Sequence, residues 1–246
     1  MPLPLPPLSN STRLVARAFL LLGLLAAAFV LAPDNRSIAQ GDRGERGQPG
    51  DFDYYTLVLS WSPTHCETEG RREGGQQCSG IRPYAFVLHG LWPQYEQNWP
   101  EFCRTRERPW VPQNVVDRML DIMPSPGLVI HQYRKHGTCS GQDPLSFFRI
   151  SRRAFESIKI PERFLRPQQP LNVTAEEVEK EFMAVNPQLQ PDMIEVGCTR
   201  NRLRDVRICL TRDLQPRTCG DNELGRKLCA ARRVTMPPVR YAPSGI

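Results

Sequence analysis

Eight cysteines, an even set with no C-x-x-C pair, constrain this chain more than any other feature. Such spacing fits a disulfide framework rather than a zinc site, and disulfides persist in an oxidising compartment. The residues alone leave roughly a hundred pairings open. The N-terminus agrees with export. Arg13 and Arg17 precede an apolar run, Ala18 to Ala32, that is short for a bilayer span of about 20 residues. Residues 1–39 therefore read as a secretory signal peptide, with Ser37 and Ala39 as the small residues before cleavage; cleavage after Ala32 and a retained membrane anchor are the competing readings. The signal peptide reading predicts an exported protein, periplasmic or extracellular, with no membrane contact after cleavage.

Glycine recurs at every third position in Gly41 to Gly50, over too few triplets for collagen, so 40–52 reads as a flexible Gly-rich leader. The remainder, 53–246, is of a size for one domain. Tyr54 to Trp61 is aromatic and β-branched and stops at Ser62 and Pro63, which predicts a strand. A second strand, Tyr84 to Leu88, runs into His89 and Gly90 and leaves that histidine exposed at a strand end. Helices are expected over Val115 to Met123, over Leu128 to His136, from the Asp143–Pro144 start through Ile158, and from a Thr174/Glu177 capping box through Ala184. Met193 to Cys198 and Leu203 to Leu210 read as strands. Helices and strands are segregated, so the expectation is an α+β domain, an antiparallel β-sheet core with several flanking α-helices, stabilised by disulfides.

The 32 basic residues exceed the 26 acidic ones, and only four of the basic residues are lysine, which favours an anionic partner. Four histidines exist, and three fall in two short stretches, His89 in FVLHGLWPQ and His131 with His136 in HQYRKHGTC. His65, flanking Cys66, reads as a structural or surface residue. On a helix, residues four apart share a face, which aligns His131 with Lys135 and Gln132 with His136. His131 and His136 are five apart and no carboxylate or free thiolate completes a ligand set, so metal catalysis is disfavoured and no cofactor is expected. Two imidazoles suit a reaction needing one base and one acid. RNA carries its own nucleophile, the 2′-hydroxyl. One ring takes its proton, the other protonates the departing 5′-oxygen, and a cation such as Lys135 or protonated His131 stabilises the phosphorane.

These segments resemble the ribonuclease T2 family. HGLWP at His89 to Pro93 is intact, and His131 to Cys139 is similar to the family's H-E-W-x-K-H-G-T-C. The likeness extends from Tyr54 to Cys229, through LSWSPTHC at Leu59 to Cys66 and LRDVRICL at Leu203 to Leu210. The resemblance implies His136 as general base, His89 as general acid, His131 and Lys135 as phosphate binders, and Trp92 as a stacking platform for a base; the alternative for Trp92 is a core residue beside Pro93. Gln94 stands where relatives often carry an acidic base-contacting residue. The implied disulfides are Cys66–Cys78, Cys103–Cys139, Cys198–Cys229 and Cys209–Cys219. The implied activity is metal-independent cleavage of single-stranded RNA to 2′,3′-cyclic phosphates and then 3′-phosphates, by a monomer with low base specificity.

The departures are Gln132 and Tyr133, where the family has glutamate and tryptophan. Gln132 cannot ionise, but its amide oxygen is expected to accept a hydrogen bond from the His136 ring. The competing reading is a catalytically attenuated RNA-binding protein on the same scaffold.

Overall fold

The computed structural model describes residues 47–69, 76–225 and 228–240. The expected signal peptide and the leader up to residue 46 lie outside them. Among the described residues six strands and six helices form an α+β domain. Strand β1 (Tyr54–Trp61) lies between β2 (Phe86–Gln94) and β5 (Arg202–Leu210), both antiparallel to it, and β4 (Ile194–Thr199) pairs with β5. Two short strands, β3 (Leu171–Val173) and β6 (Val234–Met236), complete the sheet. The β5–β6 contact is parallel through Arg202 and Thr235, so the sheet is mixed rather than purely antiparallel.

Seven of the eight β1 residues are buried, which explains its run of aromatic and β-branched side chains without polar alternation. Trp61 and Phe86 meet at 4.9 Å between ring centroids, and Phe86 meets Phe182 at 5.5 Å. These rings join the sheet to α6 (Ala175–Val185). Each such buried ring contributes about 1.5–3 kcal/mol. The Thr174/Glu177 capping box opens α6, and the Asp143 carboxylate accepts from the Ser146 N–H to open α4 (Pro144–Glu156).

Several elements depart from the sequence reading. Ser62 and Pro63 do end β1, but they also open a helix, α1 (Ser62–Thr68), because proline is tolerated in a first helical turn. The helix expected over Val115 to Met123 is only α2 (Gln113–Asp117), followed by turns; α5 (Glu162–Leu165) gave no periodic signal. The leader does not run loosely to residue 52: the Gly50 N–H donates to the Cys139 carbonyl at 2.8 Å, and Phe52 is buried against Tyr55. One apolar ring is enough to anchor the chain ahead of Asp53. The four disulfides are Cys66–Cys78, Cys103–Cys139, Cys198–Cys229 and Cys209–Cys219. Among the described residues no helix is long and apolar enough to cross a membrane.

Candidate active site

Two elements bring the histidines together. Helix α3 (Pro126–Lys135) begins where the Ser125 hydroxyl accepts from the Leu128 N–H, and its last turn carries Lys135; His136 caps it. His131 is exposed on this helix, whereas Gln132 and His136 are buried. Strand β2 supplies His89 and Trp92. His89 does not sit at a strand end, as the sequence suggested. Gly90 pairs with Val58 and Leu88 with Leu59, leaving His89 as the surplus residue of the ladder. A bulge of this kind re-aims a side chain.

Trp92 joins the two elements. Its ring stacks on that of His136, with centroids 5.0 Å apart and planes 18° apart, and meets the His89 ring edge-on at 5.6 Å. The indole N–H donates to the Gln132 side-chain oxygen at 2.8 Å, and the Arg207 guanidinium lies 5.3 Å from the ring centre. Gly90 makes this approach possible, because a Cβ there would lie 2.1 Å from Gln132 Oε1 and 2.5 Å from Trp92 Nε1.

Two sequence expectations are therefore corrected. Gln132 does not bond the His136 ring: its oxygen is taken by Trp92, and the 2.9 Å contact between these helical neighbours runs from the His136 backbone N–H to the Gln132 carbonyl. The His136 Nδ1 atom is buried with no hydrogen-bond partner. Gln94 does not face a base site either. It lies on the same face of β2 as Trp92 but is covered there: it is buried, and its side-chain oxygen accepts from Asn222 Nδ2 at 3.0 Å.

Burial lowers the His89 pKa to about 4, against a raising influence from Asp205. Burial also holds His136 well below the usual histidine range, helped by the positive charge of Lys135. His131 is lowered in the same sense by burial and Lys135. The Lys135 ammonium itself lies 3.3 Å from a Glu101 carboxylate oxygen. In the free protein at neutral pH both inner imidazoles are neutral.

His65, read from sequence as a structural or surface residue, lines two hollows of about 320 and 380 Å³ that His89 also lines. Its Nδ1 lies 3.7 Å from a Glu69 carboxylate oxygen. The first hollow also holds Asp205 and Arg207; the second also holds His131. Asp205 is buried and bonded by the Nε atoms of Arg204, at 2.6 Å, and Arg207, at 3.3 Å. Its signal was present in LRDVRICL, where charges interrupt an otherwise apolar strand. Among the described residues the one cluster of metal-ligating groups is Cys209, Cys219 and Glu223; its sulfurs form a disulfide, and Glu223 accepts from Tyr54 and Thr56.

Residues 52–219 match the model of the Ribonuclease T2 family. A ribonuclease of Aeromonas hydrophila is 34% identical over 216 residues, covering 85% of this chain and 91% of its own. Ribonuclease I of Escherichia coli is 30% identical over 150 residues, 46% of this chain and 56% of its own. Among solved structures, an RNase-related protein from Calystegia sepium superposes with a TM-score of 0.60 at 20% identity, covering 76% of this chain and 97% of that one. RNase NT in complex with 5′-AMP gives a TM-score of 0.53 at 20% identity, covering 78% and 99%. The class is thus that of a T2-type endoribonuclease. The chain belongs to the ribonuclease T2 family.

Proposed function

We propose that this protein cleaves single-stranded RNA by transphosphorylation, with His136 as base and His89 as acid. The observation that carries the reading is the Trp92 ring shared between the two imidazoles, 5.0 Å from one and 5.6 Å from the other. Neutral His136 takes the 2′-hydroxyl proton, O2′ forms a bond to phosphorus, and the P–O5′ bond breaks as His89 delivers a proton to O5′. The product is a 2′,3′-cyclic phosphate. Water then opens the ring with the roles reversed, leaving a 3′-phosphate. His89 acquires its proton when the anionic phosphate arrives, a shift that Asp205 favours. His131 and Lys135 on the same helix face hold the phosphate, and no metal takes part.

Trp92 is assigned a different role from that implied by family likeness. Its indole is already engaged by His136, His89, Gln132 and Arg207, so it serves to hold the catalytic rings rather than to stack on a base. The protein acts as an exported monomer.

The test is incubation of the purified protein with single-stranded RNA in EDTA. Cyclic-phosphate ends should appear, and His89→Ala and His136→Ala should each lower the rate by about 10²–10⁴. Loss of activity with chelator would point to a metal-dependent hydrolase. RNA binding without cleavage would favour the attenuated scaffold.

A further inference from the structure

The segment following Glu101 carries Arg104, Arg106 and Arg108 at alternate positions in a non-helical stretch. Together with Arg134 of α3 they line an open hollow of about 600 Å³ whose lining includes a single acid, Glu107. All four arginines are exposed. Several arginines elsewhere have acidic partners: Arg152 with Asp121, Arg207 with Asp205, Arg217 with Glu96. Among the described residues these four guanidinium groups have no such partner. Phe102 and Trp110, 46% and 67% exposed, stand at the two ends of the stretch.

The hollow adjoins the active site. The Phe102 ring lies 6.3 Å from the His131 ring, the Phe102 N–H donates to the Lys135 carbonyl at 2.8 Å, and Cys103 is bonded to Cys139. The segment is thus fastened to the end of α3 that carries the phosphate-holding pair. A cluster of unpaired cations is self-repulsive and exposed aromatic rings gain nothing from water, so the surface is suited to a chain bearing both phosphates and flat bases.

We propose that Arg104, Arg106, Arg108 and Arg134, flanked by Phe102 and Trp110, form an accessory site that holds the RNA strand beyond the cleaved phosphate. This rests on RNA being the substrate. The site lets a long strand be retained between successive cuts.

The experiment compares wild type with Arg104→Gln/Arg106→Gln/Arg108→Gln, all at exposed positions. Binding is measured by fluorescence anisotropy to an uncleavable 2′-O-methyl oligonucleotide of about a dozen residues over a range of salt. Removing three phosphate contacts should reduce the slope of log affinity against log salt by about 2 and weaken binding at low salt at least tenfold. kcat/KM should fall similarly for a long single-stranded RNA, and a dinucleotide, too short to reach the hollow, is the internal reference. Unchanged slope and affinity overturn the proposal, as does an equal loss on the dinucleotide. Affinity for phosphatidylglycerol vesicles that depends on the three arginines while oligonucleotide binding does not would assign the surface to a membrane instead. If the wild type cleaves nothing yet the salt slope still depends on these arginines, the accessory site stands and the catalytic reading fails.

Discussion

Gly90→Ala is the substitution on which the geometry of the site makes its sharpest demand. The added methyl would lie 2.1 Å from Gln132 Oε1, 2.9 Å from Gln132 Cδ and 2.5 Å from Trp92 Nε1. Gln132 is 2% exposed and has no room to withdraw. The 2.8 Å bond between the two side chains must break, orphaning the buried Gln132 acceptor and the half-buried indole donor at a cost of about 1–3 kcal/mol. Crowding adds about 1–3 kcal/mol, against about 0.4–1 kcal/mol regained from a less flexible unfolded chain. The net expectation is a loss of about 1–6 kcal/mol. Urea denaturation reads it as a lower midpoint with unchanged slope. Gly127→Ala is the control, since its nearest neighbour is Ser125 Oγ at 3.8 Å; it should stay within about 0.5 kcal/mol of wild type. Because the Trp92 ring contacts both imidazole rings, kcat/KM on RNA should drop at least tenfold, equivalent to about 1.4 kcal/mol. A Gly90→Ala protein as stable and active as the control would refute the idea that this close approach sets the site.

Gln132→Glu places a carboxylate one helical turn from His136; at about 6 Å and an effective dielectric of about 20 the attraction is about 3 kcal/mol, so the acid limb of the pH–rate curve should move up by about two units. An unmoved limb would remove position 132 from control of the base. The low pKa of His89, about 4, predicts that kcat/KM declines as pH rises above that value, because the protonated acid becomes scarce. Asp205→Asn, removing the influence that opposes burial, should push that decline to still lower pH, and a profile identical to wild type would dismiss Asp205 as its support. Replacing Cys103 and Cys139 by alanine opens a loop with a sequence separation of 36 and should cost about 4 kcal/mol in denaturant titration.

The parts of the molecule legible in the sequence are those fixed by local chemistry. The ends of β1 followed from its aromatic and β-branched run, and the starts of α4 and α6 from capping side chains whose partners lie three residues away. Local pattern also grouped His131, Lys135 and His136 on one helix. What escaped were contacts closed across the sheet. The surplus position of His89 depends on the register of β1, which β2 does not encode by itself. Gln132 meets Trp92 and Gln94 meets Asn222 through separations of 40 and 128 residues, so helical spacing named the wrong partner for the first and family likeness the wrong environment for the second. His65 and Asp205 reach the neighbourhood of His89 through α1 and β5, the one an element read only as the end of a strand.

The position of His89 outside the regular β1–β2 pairing separates cohesion from chemistry. A descendant could lose that ring, or the whole residue, with the flanking ladder closing over the gap and the cysteines still joined. Silent relatives that keep the shape and abandon the reaction are therefore within easy mutational reach, and an intact scaffold by itself is no guarantee of a living enzyme.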